Sequence, residues 1–285
     1  MHLYRIARSA TILAAVLAAA SADAWRGEVR AQGKLDARYT ASLAGMPVGR
    51  GASLIEIADD QFSATANGST TGLIQVIASG QGQSVVRGSV ANGQLIPSSY
   101  ASNIVTDKKY DEVRMAISAG TVKDFVAEPA SQPSPNRVPL TDAHRRGVSD
   151  PMTATLIRVP GNGNPVSAEA CQRKLAVFDG RMRYDLLLAF KRLENVKPEQ
   201  GYQGAAVVCS VQFSPIAGHI PDRTAIRYLA DLRSMELWLT PIVGTRVLAP
   251  YRFSVPTPLG VGVVQATQFV SVPQAGRPNS TAKTQ

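Results

Sequence analysis

The chain has 285 residues, 45% of them apolar, with 30 lysines and arginines against 21 acidic residues and a formal net charge of +9. That apolar share is ordinary for a globular protein with a real core. The basic residues are scattered, with short clusters only at Lys108-Lys109 and Arg145-Arg146 and an alternating Arg181 and Arg183. A nucleic-acid-binding tail, which concentrates its charge in one block, is excluded by that pattern.

The amino terminus reads as a secretory signal. Arg5 and Arg8 form a positive head, residues 11–20 (TILAAVLAAA) are apolar but too short to span a bilayer, and Ala22-Asp23-Ala24 supplies the small residues a signal peptidase inspects. Cleavage is expected after Ala24, with a second choice after Ala31. The expected location is the periplasm or another exported compartment. Nothing after residue 24 is long and apolar enough for a transmembrane helix. Export turns the partner expectations away from nucleic acid and towards a lipid, a glycan or an anionic envelope polymer, to which a basic surface is attracted, the alternative being charge that serves solubility with no specific partner.

After a lead-in over residues 25–35, the expected β-rich domain covers 36–272. Residues 36–43 (DARYTASL) and 49–57 (GRGASLIEI) read as strands around a turn at Gly45-Met46-Pro47. Strands over 62–67, 72–77 and 84–90 follow. Asn92-Gly93 is a strong hairpin signal, because both residues tolerate positive φ. Strands over 99–105, 110–117 and 122–127 complete a meander. Four prolines at 129, 133, 135 and 139 make residues 129–139 an exposed crossing loop. Asp150-Pro151 then has the form of a helix start, N-cap followed by proline at the first turn, with the helix expected to end near Arg158.

The second half returns to strands over 174–178 and 181–192, joined at Asp179-Gly180, and over 205–213, 235–239, 251–255 and 260–270. One short helix is expected within 222–233, where Ile226, Leu229 and Leu232 have helical spacing. The polar residues 273–285 read as a disordered tail.

Catalytic motifs are missing. There is no G-x-S-x-G, no G-x-x-x-x-G-K and no H-E-x-x-H, and His144 and His219 are isolated, so we read no catalytic residue, no metal site and no cofactor. Cys171 and Cys209, the two cysteines, are expected to pair in an oxidising compartment. The densest polar cluster is Asp179-Gly180-Arg181-Met182-Arg183-Tyr184. Strand alternation would set Arg181 and Arg183 on one side, where two guanidinium groups can grip a carboxylate or phosphate. Asp179, Arg181, Arg183 and Tyr184 are therefore the candidate ligand-binding residues. The competing role is structural: Asp179 capping its own turn and pairing one arginine, and Tyr184 packed.

Several of these features together resemble one exported bacterial family. They are the Tyr39 strand with Gly45-Met46-Pro47-Val48-Gly49, Asp150-Pro151, the run Val177-Phe178-Asp179-Gly180-Arg181-x-Arg183-Tyr184, Cys209, and Phe213-x-Pro215-x-x-Gly218. The sequence resembles domain-of-unknown-function family 3108 (DUF3108) from about Ala37 to Val270. The resemblance implies export and antiparallel strands and brings no catalytic residue. The expected fold is mainly β: a large curved antiparallel sheet or half-open β-barrel with one or two short helices, its concave face apolar and closed on one side by the helix near Pro151. The expected role is non-enzymatic binding of an amphipathic or anionic envelope component. The alternatives are an envelope scaffold acting through a protein partner and an unrecognised hydrolase.

Overall fold

In a computed structural model of the chain, the residues described are 32–71 and 79–274. The expected signal with its cleavage points, the strand read over 72–77 and most of the expected tail lie outside them. Seven strands run as a meander: β1 (Gly33–Leu43), β2 (Met46–Ile57), β3 (Gln61–Thr70), β4 (Gly80–Ala91), β5 (Gln94–Thr106), β6 (Tyr110–Ser118) and β7 (Thr121–Glu128). Eight more follow: β8 (Ile157–Arg158), β9 (Arg173–Phe178), β10 (Arg183–Val196), β11 (Gln200–Gly201), β12 (Gly204–Ala217), β13 (Met235–Pro241), β14 (Val247–Thr257) and β15 (Gly260–Pro273). All belong to one sheet in the order β7-β6-β5-β4-β3-β2-β1-β15-β14-β13-β12-β10-β9, with β8 against β14 and β11 parallel to β15. The rest is antiparallel, as the closely spaced strands and turns in the sequence require.

Turn chemistry fixes the meander. Ala44 and Gly45, Asn92 and Gly93, and Ala119 and Gly120 each adopt positive φ as consecutive pairs, the backbone of a tight hairpin whose twist matches its strands. The first turn is therefore Ala44-Gly45 rather than Gly45-Met46-Pro47. Met46 and Pro47 open β2, and a bulge between Ala41 and Ser42 absorbs the proline. Pro97 likewise sits beside a register shift in the β4–β5 pairing rather than ending a strand.

Alternation directs one face of the meander inwards. Leu35, Ala37, Ile55, Ile57, Phe62, Val86, Met115 and Ile117 are buried in one cluster with Phe178, Val208, Trp238, Tyr251 and Phe269 from the second half. The curved sheet is thus filled by side chains from both halves. Helix α1 (Pro151–Ala154) packs against β4 and β9 and so bridges the two halves. Asp150, completely buried, accepts from the backbone amides of Met152 and Thr153 and caps it. The helix stops at Ala154, short of Arg158, because Ile157 and Arg158 form β8 against Val247 and Leu248.

β12 is buried on both faces. Ala206 and Val208 join the first cluster, while Val207, Cys209, Val211 and Phe213 join a second one with Ile157, Val159, Val166, Leu239 and Leu248. The segment carrying Val166 and Ala170, and helix α2 (Thr224–Asp231) through Leu229 and Ala230, cover that second core. The bridge between Cys171 and Cys209 ties the cover to β12.

Residues 146–149 close the sheet at one end. Val148 N–H donates to the Gly120 carbonyl beside β7, Ser149 N–H donates to Ala176 on β9, and Phe178 N–H donates to Ser149. The stretch Val148-Ser149 therefore hydrogen-bonds to both edges, and Phe125 of β7 meets Phe178 of β9 edge to face.

Candidate functional site

The residues singled out in the sequence lie at this seam, in the link between β9 and β10. Asp179 Oδ1 accepts from the amides of Arg181 and Met182 at 2.8 and 2.7 Å, which holds the chain in a turn through Gly180. Gly180 has φ +91°, and a Cβ there would stand 2.4 Å from Val113 Cγ1, so the turn presses directly on β6. β10 begins only at Arg183. Arg181 consequently belongs to the turn and does not share a strand face with Arg183.

The two guanidinium groups have separate duties. Arg181 ion-pairs with Asp111 (3.2 Å) and donates to the Pro129 and Glu128 carbonyls at 3.0 and 3.2 Å, pinning the start of the proline-rich loop. Arg183 pairs with Asp185 at 2.6 Å, and both side chains are nearly buried. Tyr184 packs on Phe213 with ring centroids 5.3 Å apart. Burial pushes the Asp179 carboxyl above its ordinary value, and Asp150 likewise, each opposed by backbone N–H donors. Burial also raises the hydroxyls of Tyr100 and Tyr184, with the negative charges of Asp150 and Asp179 adding to both. The seam thus concentrates two carboxyls and two phenols, and its groups bond chiefly to the protein itself.

The histidines lie apart. His144 Nδ1 stands 3.1 Å from the Thr141 amide and hydroxyl in a 3-10 turn, Asp142–Arg145. His219 is buried, its carbonyl accepts from Val138 N–H, and desolvation lowers its pKa. No group of three or more His, Cys, Asp or Glu able to hold a metal occurs among the described residues.

A different surface has the form of a binding site. On the outer face of β3–β6 lies a groove of about 640 Å³, lined by Asn67, Gln81, Gln83, Asn103, Glu112 and Arg114 with Val85 and Ala101. Its centre is a cross-strand row. Asn67 stands opposite Gln83, Gln83 opposite Asn103, and Asn103 opposite Glu112. Three steps of strand spacing make the row about 14 Å long. A parallel row of Thr65, Val85, Ala101 and Arg114 supplies an apolar strip ending in a charge. Arg114 Nε pairs with Glu112 Oε1 at 3.1 Å, and the Tyr110 hydroxyl donates to Glu112 Oε2. A larger hollow, about 1690 Å³, opens at the other end of the sheet between Asp60, Arg87, Asn92, Arg158 and Arg246. Its cations are partly engaged: Arg246 donates to the Val159, Pro160 and Gly163 carbonyls.

Sequence reasoning did not find the amide row. Asn67, Gln83, Asn103 and Glu112 are dispersed over 46 positions, and only the strand register aligns them. The available signal was the alternation of polar residues along GQGQS and YASN in strands whose other face is apolar or small.

The model of a family described as "Protein of unknown function (DUF3108)" matches residues 38–267. The chain belongs to that family. The DUF3108 match spans the sheet from within β1 to within β15 and includes both cysteines and the Asp179 turn. Among solved structures, the chain is similar to a β-barrel-like protein of domain-of-unknown-function family DUF1849 from Brucella abortus. The TM-score is 0.45 at 8% identity, over 85% of this chain and 98% of that one. No curated protein matches.

Proposed function

We propose that this DUF3108 protein is an exported, non-enzymatic binding protein of the cell envelope, and that the β3–β6 groove holds a linear glycan. The observation that carries the reading is the row Asn67–Gln83–Asn103–Glu112. Carboxamides offer a donor and an acceptor side by side, which suits the vicinal hydroxyls of sugars. Val85 and Ala101 beside them provide apolar contact for sugar C–H faces, and a row about 14 Å long fits roughly three residues of an extended polysaccharide. A glycan suits this surface better than an acyl chain does. The apolar interior is occupied by Leu35, Ile57, Phe62, Val86, Phe178 and Phe269, and the groove is polar.

The test is calorimetric titration with chitotetraose and with solubilised envelope glycans, using the wild-type protein and Gln83→Ala/Asn103→Ala. Both side chains are exposed, so the double variant should melt with the wild type and lose at least tenfold in affinity. Equal binding by the variant, or no binding by the wild type to any glycan tested, rejects the reading.

A further inference from the structure

We propose that the end of the sheet formed by the β1–β2, β5–β6 and β14–β15 hairpins docks on the surface of an anionic lipid bilayer, inserting its apolar tips between the headgroups.

Antiparallel order brings these three turns to one end. The first and last touch: Ala44 N–H donates to the Val261 carbonyl at 3.0 Å, and Gly260 lies against Ala44. The lip continues through Thr71 N–H donating to Val48, and through Asp107 N–H donating to Ser79. The two most exposed large apolar side chains of the described residues, Leu259 and Met46, stand on this lip together with Ile104 and Val261. Leu259 is 76% exposed, Met46 63%, Ile104 48% and Val261 45%. Each projects from or beside a hairpin turn, and together they make a set of separate points, where a protein partner would want a flat patch. Separate apolar fingers suit a deformable medium.

The charge pattern selects the medium. Residues 37–55, which hold the first hairpin, contain Arg38 and Arg50 and no carboxylate, and none follows Glu236, so the β14–β15 hairpin has none either. Carboxylates at the tips would oppose insertion, because bringing a charge towards hydrocarbon is costly and anionic headgroups repel it. Cations flank the tips. Lys108 and Lys109 form the β5–β6 turn next to Ile104, both exposed. On the other side, Tyr228 of α2 donates to the Pro256 carbonyl at 3.1 Å, which anchors that helix beside the β14–β15 tip with Arg223 and Arg227 exposed. The counter-charges are Asp222 just before α2 and Asp231 at its end, Asp107, which accepts from the Ser79 amide and hydroxyl, and Asp111 opposite Ile104, which is held by Arg181. Apolar tips surrounded by basic side chains are the arrangement by which surface-bound proteins hold anionic membranes, with affinity summed from buried apolar area and headgroup attraction.

The test uses the whole chain with an environment-sensitive fluorophore on a single added cysteine at Leu259→Cys, and, as an internal control, at Asn162→Cys in the hollow at the opposite end. Vesicles of phosphatidylglycerol and phosphatidylethanolamine should blue-shift the label at 259 and expose it to a quencher carried on the lipid chains. The label at 162 should stay in water, and phosphatidylcholine vesicles should give at least tenfold weaker binding. The unlabelled Met46→Asp/Leu259→Asp variant should bind the anionic vesicles at least tenfold more weakly than wild type. Identical responses at 259 and 162 would mean that another segment, such as the apolar amino terminus, makes the contact, and would overturn the proposal. So would a concentration-dependent blue shift at 259 without vesicles, which would assign the tips to a second copy of the chain. The labelled proteins keep Met46, so the proposal stays testable even if the double variant fails to fold.

Discussion

Phe125 on β7 and Phe178 on β9 meet edge to face with centroids 5.3 Å apart, although they belong to the two outermost strands of the sheet path. Their contact, the residue 146–149 backbone and the Asp179 turn together make the seam. Phe178 is completely buried there. Phe178→Ala should cost about 3–5 kcal/mol by removing a buried ring and leaving a cavity. Urea unfolding followed by tryptophan fluorescence checks it, and a loss below about 1 kcal/mol would show that the seam adds little to the fold.

Asp179 gives a pH prediction. Burial raises its carboxyl above the reference value of 3.8, so the folded state holds a proton more readily than the unfolded one. Stability from this group is then greatest at low pH and falls as pH rises through the folded value. Asp179→Asn keeps an oxygen for the amides of Arg181 and Met182 and removes the buried charge. It should stabilise the protein at pH 7 by on the order of 1 kcal/mol, with the gain fading towards pH 4. A variant less stable than wild type at pH 7 would mean that the charge itself is needed by Arg181.

Glu236 has the opposite sign. Hydrogen bonds from Arg192 and Lys191 hold its carboxyl at about 2, down from 4.5. Arg192 reaches both Glu236 oxygens, at 3.1 and 3.0 Å, and its guanidinium stacks on one side of Trp238, while that of Arg252 lies over the same ring at 4.7 Å. This stabilisation is present above pH 4.5 and lost as pH falls towards 2. Because the cluster is partly open to water, Glu236→Gln should cost only about 1 kcal/mol at pH 7 and nothing near pH 2. Thermal melts across that range measure it.

Cys171 and Cys209 are completely buried and close a loop of 38 residues. The chain-entropy model gives about 4 kcal/mol for such a loop, so the double serine variant should lose stability on that scale. Equal melting temperatures for the oxidised wild type and the double variant would contradict it.

Local chemistry was legible in the sequence and register was not. Asn92-Gly93, the Asp150-Pro151 helix start and the cysteine pair each depend on one or two residues and a general rule, and all three appear in the structure. The placement of Arg181 failed for an equally local reason: the Asp179 carboxylate captures two successive amides, so alternation starts two residues later than the apolar pattern suggested. The amide row needed the pairing of four strands, and the bulges that shift register elsewhere in the sheet leave little trace in composition.

The pairing of β1 with β15 joins Gly33 to Pro273, almost the full described length of the chain. Synthesis delivers the amino-terminal meander long before its last neighbour exists. For that interval, the eleven-residue β1 presents a free row of amides and carbonyls along an apolar-faced ribbon, which another nascent copy could adopt as its own next strand. Safe maturation of this fold therefore depends on how quickly its final strand arrives, and a chain truncated before residue 260 should aggregate rather than persist as a stable fragment.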